Sequence, residues 1–83
     1  MEQIARTPIQ LGAVLRRRRK TLGLSQADLG RRINLRQATV SALESGEVDT
    51  KLTTLMDALA ALNLELVVRP RSAGGGADIE AMF

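Results

Sequence analysis

This 83-residue chain predicts a mainly α-helical fold, a bundle of four to five helices followed by one C-terminal β-strand. Three observations carry that expectation. Apolar residues recur at helical spacing from Leu11 onward, cut into short runs by Gly23, Asn34, Gly46 and Asn63. The pattern then alternates over Leu64-Glu65-Leu66-Val67-Val68-Arg69 and stops at Pro70, which is the signature of a strand. A single aromatic residue leaves a modest core of Leu, Val, Ile, Met and Ala, suited to one small domain.

Each element has its own local justification. Thr7 can cap a first helix, Pro8 suits its first position, and Gln10 stands where a capping-box partner belongs. Leu11, Val14, Leu15 and Leu22 mark its buried stripe, and Gly23 ends it. Arg18 falls on that stripe, its stem over the core edge and its guanidinium free for solvent or phosphate. Ser25 with Asp28 caps a second helix that runs to about Ile33, where Asn34 can adopt the left-handed conformation of a turn. A third helix extends from Gln37 to Ser45 and stops at Gly46. Residues 47–51 form a polar loop, and a fourth helix covers Leu52 to Leu62 with Leu52, Leu55, Met56 and Leu59 inward.

The second and third helices belong together. Leu29, Ile33, Leu35, Val40 and Leu43 are apolar at the offsets that let two perpendicular helices share a core. Gly30 is small where their backbones meet, and Asn34 sits at the turn. That is a helix-turn-helix, whose second helix enters the major groove of DNA. Charge agrees. All twelve basic residues fall within 1–71 with seven of the nine acids, so this stretch carries +5, including the run Arg16-Arg17-Arg18-Arg19-Lys20. Beside such a motif, a basic run points to a polyanion rather than to a solvated helix face.

The outward face of the third helix presents Gln37, Ala38 and Ser41, with Arg36 at its entrance. Glutamine pairs with adenine, arginine with guanine, alanine touches a thymine methyl, and serine bonds to either kind of edge. The plainer alternative is an exposed helix face of small polar residues. Gln26 and Thr39 are placed to meet phosphates, as is the backbone at the start of the second helix. From the basic run, Arg19 is the first choice for phosphate because it lies off the apolar stripe, nearest the helix-turn-helix.

Other chemistries have little to stand on. Without cysteine or histidine the chain has no disulfide, thiolate zinc site, catalytic cysteine or imidazole base. Gly74-Gly75-Gly76 lacks the strand and helix of a phosphate loop, so no enzyme, cofactor or metal is expected. No apolar run reaches the length of a membrane span, and a cytoplasmic protein is expected. A pure protein-interaction module would leave the small polar face of the third helix unexplained.

These residues resemble the Xre/Cro type of phage-repressor-like (lambda-repressor-like) helix-turn-helix, and within it the HipB-type antitoxins that accompany HipA-type serine/threonine kinases. The resemblance runs from about Thr7 to Arg69. Its most specific pieces are Arg36-Gln37-Ala38-Thr39-Val40-Ser41, the run Leu52-Thr53-Thr54-Leu55, and the strand after the fourth helix. It implies a homodimer joined partly through that strand, binding palindromic operators on double-stranded DNA upstream of its own operon and complexing the kinase. It also implies base contacts from Arg36, Gln37, Ala38 and Ser41, and a phosphate contact from Arg19. A stand-alone repressor without a toxin partner would use the same DNA chemistry.

The expected organisation is an N-terminal arm (1–6), a DNA-binding domain (7–63), a dimerisation strand (64–70) and a flexible tail (71–83). A lone strand needs a partner for its backbone groups, and a second copy is the nearest candidate. Pairing antiparallel about Val67 sets Glu65 opposite Arg69 of the other copy and lays Leu64, Leu66 and Val68 over the helices. A register centred on Leu66 leaves those charges unpaired, and a different protein adding to the edge is a further alternative. In the tail, Ile79, Met82 and Phe83 suit either a protein partner or a loose end.

Overall fold

Thr7 and Pro8 open α1 (Pro8–Thr21), the first of four helices in a computed structural model that describes residues 2–47 and 49–71. Thr7 Oγ1 accepts from the Gln10 backbone N–H at 3.1 Å. Gln10 reaches one residue past the expected partner, its Oε1 accepting from the Arg6 N–H at 2.7 Å. Gly23, at φ +74°, turns the chain out of α1 while the Leu24 N–H donates back to the Arg19 carbonyl at 3.1 Å.

α2 (Gln26–Ile33) carries a complete capping box: Asp28 N–H to Ser25 Oγ at 3.0 Å, and Ser25 N–H to Asp28 Oδ2 at 2.9 Å. It ends at Asn34 in the left-handed region, φ 60° and ψ 43°. The turn folds tightly onto the helix. A Cβ on Gly30 would stand 2.5 Å from the Leu35 carbonyl oxygen, so only glycine fits. α3 (Gln37–Ser45) closes at Gly46, φ +67°, against the backbone of Pro8. α4 (Leu52–Ala61) follows, and Asn63 turns the chain at φ 56°.

α3 packs on both α1 and α2, and α4 packs on α2. Leu15, Leu29, Val40 and Leu62 are fully buried, joined by Leu43, Ala58 and Leu59. Leu11, Leu24, Ile33, Leu55, Ala61 and Leu64 pack around them. Two expectations are corrected. Leu52 and Met56 are exposed, at 68% and 44%, because α4 buries the row Leu55, Ala58, Leu59 and Leu62. That row shares Leu55 and Leu59 with the expected one but turns the small Ala58 inward. Leu22 is also exposed, since as the C-cap of α1 it lies past the last helical turn.

Beyond α4 the Leu64 N–H donates to the Leu59 carbonyl at 2.8 Å, and Leu64 packs on the core. Among the described residues there is no strand, and 64–71 form neither helix nor ladder within the single chain. Leu66, Val67 and Val68 face solvent there, Val68 at 89%, so Leu66 and Val68 do not cover the chain's own helices. The tail residues Ile79, Met82 and Phe83 lie outside the described residues.

Candidate nucleic-acid interface

α3 has two chemically different sides. Val40, Leu43 and Glu44 are buried, whereas Gln37, Ala38, Thr39 and Ser41 are exposed, with exposed Arg36 at the N-cap. The helix closes with no side chain bonded at its N-cap, which leaves the Arg36 side chain uncommitted to capping. The sequence-derived base-reading set Arg36, Gln37, Ala38 and Ser41 therefore shares one solvent face at the start of α3.

The inner side of α3 is fixed by a buried ion pair. Arg19 Nε donates to Glu44 Oε2 at 2.6 Å and Arg19 Nη2 to Glu44 Oε1 at 3.1 Å, a two-pronged contact. Arg19 Nη1 donates to the Leu24 carbonyl at 2.8 Å. The hydrogen bonds that Arg19 donates to Glu44 raise its pKa above the ordinary value despite burial, so the guanidinium stays charged. Gln26 Nε2 then donates to Glu44 Oε1 at 3.1 Å, and Gln37 Nε2 reaches Gln26 Oε1 at 3.5 Å. A continuous polar chain thus runs from a buried cation in α1 to the exposed amide at the start of α3. No buried side-chain polar atom among the described residues lacks a partner.

This overturns one reading of the sequence. Arg19, expected at a phosphate, is 7% exposed and commits donors on all three of its nitrogens internally. Glu44, on the inner side of α3, is its buried partner. The signal was in the spacing: Arg19 lies four residues after buried Leu15, and Glu44 four after buried Val40. Opposite charges at core positions of two packed helices imply a pair. Gly12 was missed as well. A Cβ there would overlap the Glu44 carbonyl oxygen, so glycine lets α1 and α3 touch.

Arg18 is likewise drawn inward, its Nε donating to the Leu62 carbonyl at 2.9 Å where α4 ends. Of the basic run, Arg16, Arg17 and Lys20 remain exposed. Arg31 and Arg32 add exposed charge at the end of α2, Arg31 paired with Asp28. Hydrogen bonds from Ser25 hold the Asp28 carboxyl below its ordinary pKa, with a smaller contribution from Arg31. Thr39 is exposed, and Gln26 is half-buried with its amide shared between Glu44 and Gln37.

The helix-turn-helix family model matches residues 15–68, which takes in α2, the turn and α3. Antitoxin HipB of Escherichia coli (strain K12) is 32% identical over 62 residues, covering 75% of this chain and 70% of that protein. This chain belongs to the HipB-type helix-turn-helix family. Antitoxin HipB of Escherichia coli O6:H1 is also 32% identical over 62 residues, covering 75% of this chain and 66% of its own length. The chain spans about two thirds of these relatives. Among solved structures, a HipB variant in an O2 20mer complex superposes with a TM-score of 0.76 at 32% identity, over 83% of this chain and 96% of that one. HipB in a HipA-HipB-O2-O3 complex gives 0.74 at 31% identity, over 82% and 96%. HipB-type chains are DNA-binding regulators rather than enzymes. Among the described residues no group of three or more His, Cys, Asp or Glu side chains is placed to hold a metal ion. No helix among them is long and apolar enough to cross a membrane.

Proposed function

We propose that this chain is a sequence-specific transcriptional repressor and the antitoxin of a HipA-type serine/threonine kinase. It binds palindromic operators as a homodimer and represses its own operon, in the cytoplasm at the nucleoid. One observation carries this reading: Arg36, Gln37, Ala38 and Ser41 share the solvent face of a helix whose other face is locked by Val40, Leu43 and Glu44. Side chains that read base edges need such a rigid mount. The relatives add support, since HipB is found in 20mer complexes and with HipA.

In this function Arg36, Gln37, Ala38 and Ser41 contact base edges. Thr39 and Gln26 position the protein on phosphates, joined by the exposed cations Arg16, Arg17 and Lys20. The domain 7–63 carries DNA binding, and 64–70 carries dimerisation. Leu66, Val67 and Val68, bare in the single chain, supply the apolar surface that a second copy covers.

Footprinting on the DNA upstream of the chain's own gene, with a salt titration, tests the repressor. A protected pseudo-palindrome with half-sites one or more helical turns of about 34 Å apart is expected, with affinity falling steeply as salt rises. Protection without symmetry, or affinity indifferent to salt, contradicts it. Pull-down with the full-length chain tests the toxin partner. A recovered HipA-type kinase supports it, and recovery of none leaves a stand-alone repressor.

A further inference from the structure

Two glutamine amides stand between the buried ion pair and the exposed start of α3, and neither is free to turn. The Glu44 side chain is 3% exposed, and Arg19 donates to both of its oxygens, Nε to Oε2 and Nη2 to Oε1. A carboxylate in such a pair accepts and cannot donate, so an amide beside it must offer an N–H. Gln26 does so, Nε2 to Glu44 Oε1 at 3.1 Å. Its Oε1 is thereby turned toward Gln37, where it can only accept. Gln37 meets it with Nε2 at 3.5 Å. One amide hydrogen of Gln37 is then engaged. What remains for a ligand at this exposed residue is one N–H and the acceptor Oε1.

We propose that Glu44, closed off from DNA, decides which base Gln37 accepts: through Gln26 it fixes one acceptor and one donor at the tip of Gln37, a pattern that fits adenine and rejects guanine. In the major groove adenine sets its N6 amino donor beside the N7 acceptor, which one carbonyl and one N–H match. Guanine sets two acceptors there, O6 and N7, and asks for two donors. A free glutamine can turn both hydrogens of its amide nitrogen toward them. Gln37, tied to Gln26, has one left. Flipping the Gln26 amide would set its carbonyl against the Glu44 carboxylate, acceptor against acceptor, beside a side chain that water does not reach. The two prongs of Arg19 keep that carboxylate from swinging away. Glu44 is thus a positioning residue, and its consequence is selectivity. This inference rests on the base-reading role of Gln37 proposed above and adds what decides the base.

The informative quantity is a ratio of affinities for matched duplexes, because damage to the fold or to a phosphate contact lowers both members alike. The full-length chain is titrated by fluorescence anisotropy on the footprinted site and on versions in which one adenine of each half-site becomes guanine, position by position. The adenine read by Gln37 is the one whose replacement the natural chain penalises about tenfold or more and Gln37→Ala does not. At that position two variants cut the relay at different links. Gln26→Met removes the amide and keeps the Arg19–Glu44 pair. Arg19→Met/Glu44→Leu removes the carboxylate and fills its place with apolar side chains. Each is expected to lower the penalty to about threefold or less, since both amide hydrogens of Gln37 become available to guanine. Thr39→Ala, at a phosphate, is expected to weaken both duplexes alike and keep their ratio. If either relay variant keeps the natural ratio, whatever its overall affinity, Glu44 serves the fold alone and the inference is overturned while the repressor stands. If no position distinguishes Gln37→Ala from the natural chain, Gln37 reads no base, and the reading beneath this inference fails with it.

Discussion

Arg19 and Glu44 are the residues on which the recognition helix rests. With Arg19 replaced by Met, the Glu44 carboxylate stays buried among apolar side chains with only the neutral Gln26 amide beside it. Breaking one half of such a pair costs about 3–5 kcal/mol, whereas replacing both halves by apolar residues is often neutral. Arg19→Met is therefore expected to lower the free energy of unfolding in urea by about that amount, with Arg19→Met/Glu44→Leu recovering most of it. Asp28 gives a pH-dependent counterpart. Its carboxyl is held below the ordinary aspartate pKa by Ser25, so the unfolded chain takes up the proton first on acidification. The stabilisation is fully present above about pH 3.9 and is lost as pH falls through the lower folded value. Asp28→Asn is accordingly expected to be less stable than the natural chain near neutrality, with the gap in melting temperature closing in acid. A gap that stays constant with pH would show that the box does not act through its charge.

Among the elements, helix boundaries were legible because caps are local chemistry. Thr7, Ser25, Gly23, Asn34, Gly46 and Asn63 each sit where the sequence sets them, four with positive φ. Helix faces were less legible. The stripe of α4 can be drawn through Leu52 and Met56 or through Ala58 and Leu62 with equal regularity, and only packing on α2 decides between them. In α1 the basic run masked the same ambiguity, since Arg18 and Arg19 both lie near the apolar stripe and both turn inward. Gly12 illustrates how packing inverts a propensity. Glycine inside a helix ordinarily weakens it by about 1 kcal/mol relative to alanine. Here an added methyl meets the Glu44 carbonyl, which belongs to backbone and cannot swing aside. Gly12→Ala is expected to destabilise the chain by about 1–3 kcal/mol through overpacking between α1 and α3. An increase in melting temperature for this variant would contradict the contact.

For the whole molecule, the candidate interface combines what pattern can reveal with what only three dimensions can. Arg36, Gln37, Ala38 and Ser41 were legible because exposure on a short helix follows from its periodicity once the core side is known. The polar chain from Arg19 through Glu44 and Gln26 to Gln37 was not, because it joins three helices across turns whose geometry periodicity does not encode. It makes the readout face an extension of the core, so that α3 is oriented before DNA arrives. In the function proposed above, binding then spends little on ordering the helix, and selectivity falls to a few side chains at its start. The most direct test compares Gln37→Ala with the natural chain by fluorescence anisotropy, on the footprinted site and on random duplex at the same salt. A loss of about 1–3 kcal/mol on the footprinted site with little change on random DNA is expected of a residue that reads a base. Equal losses on both duplexes, or none on either, would contradict α3 as the element that reads sequence.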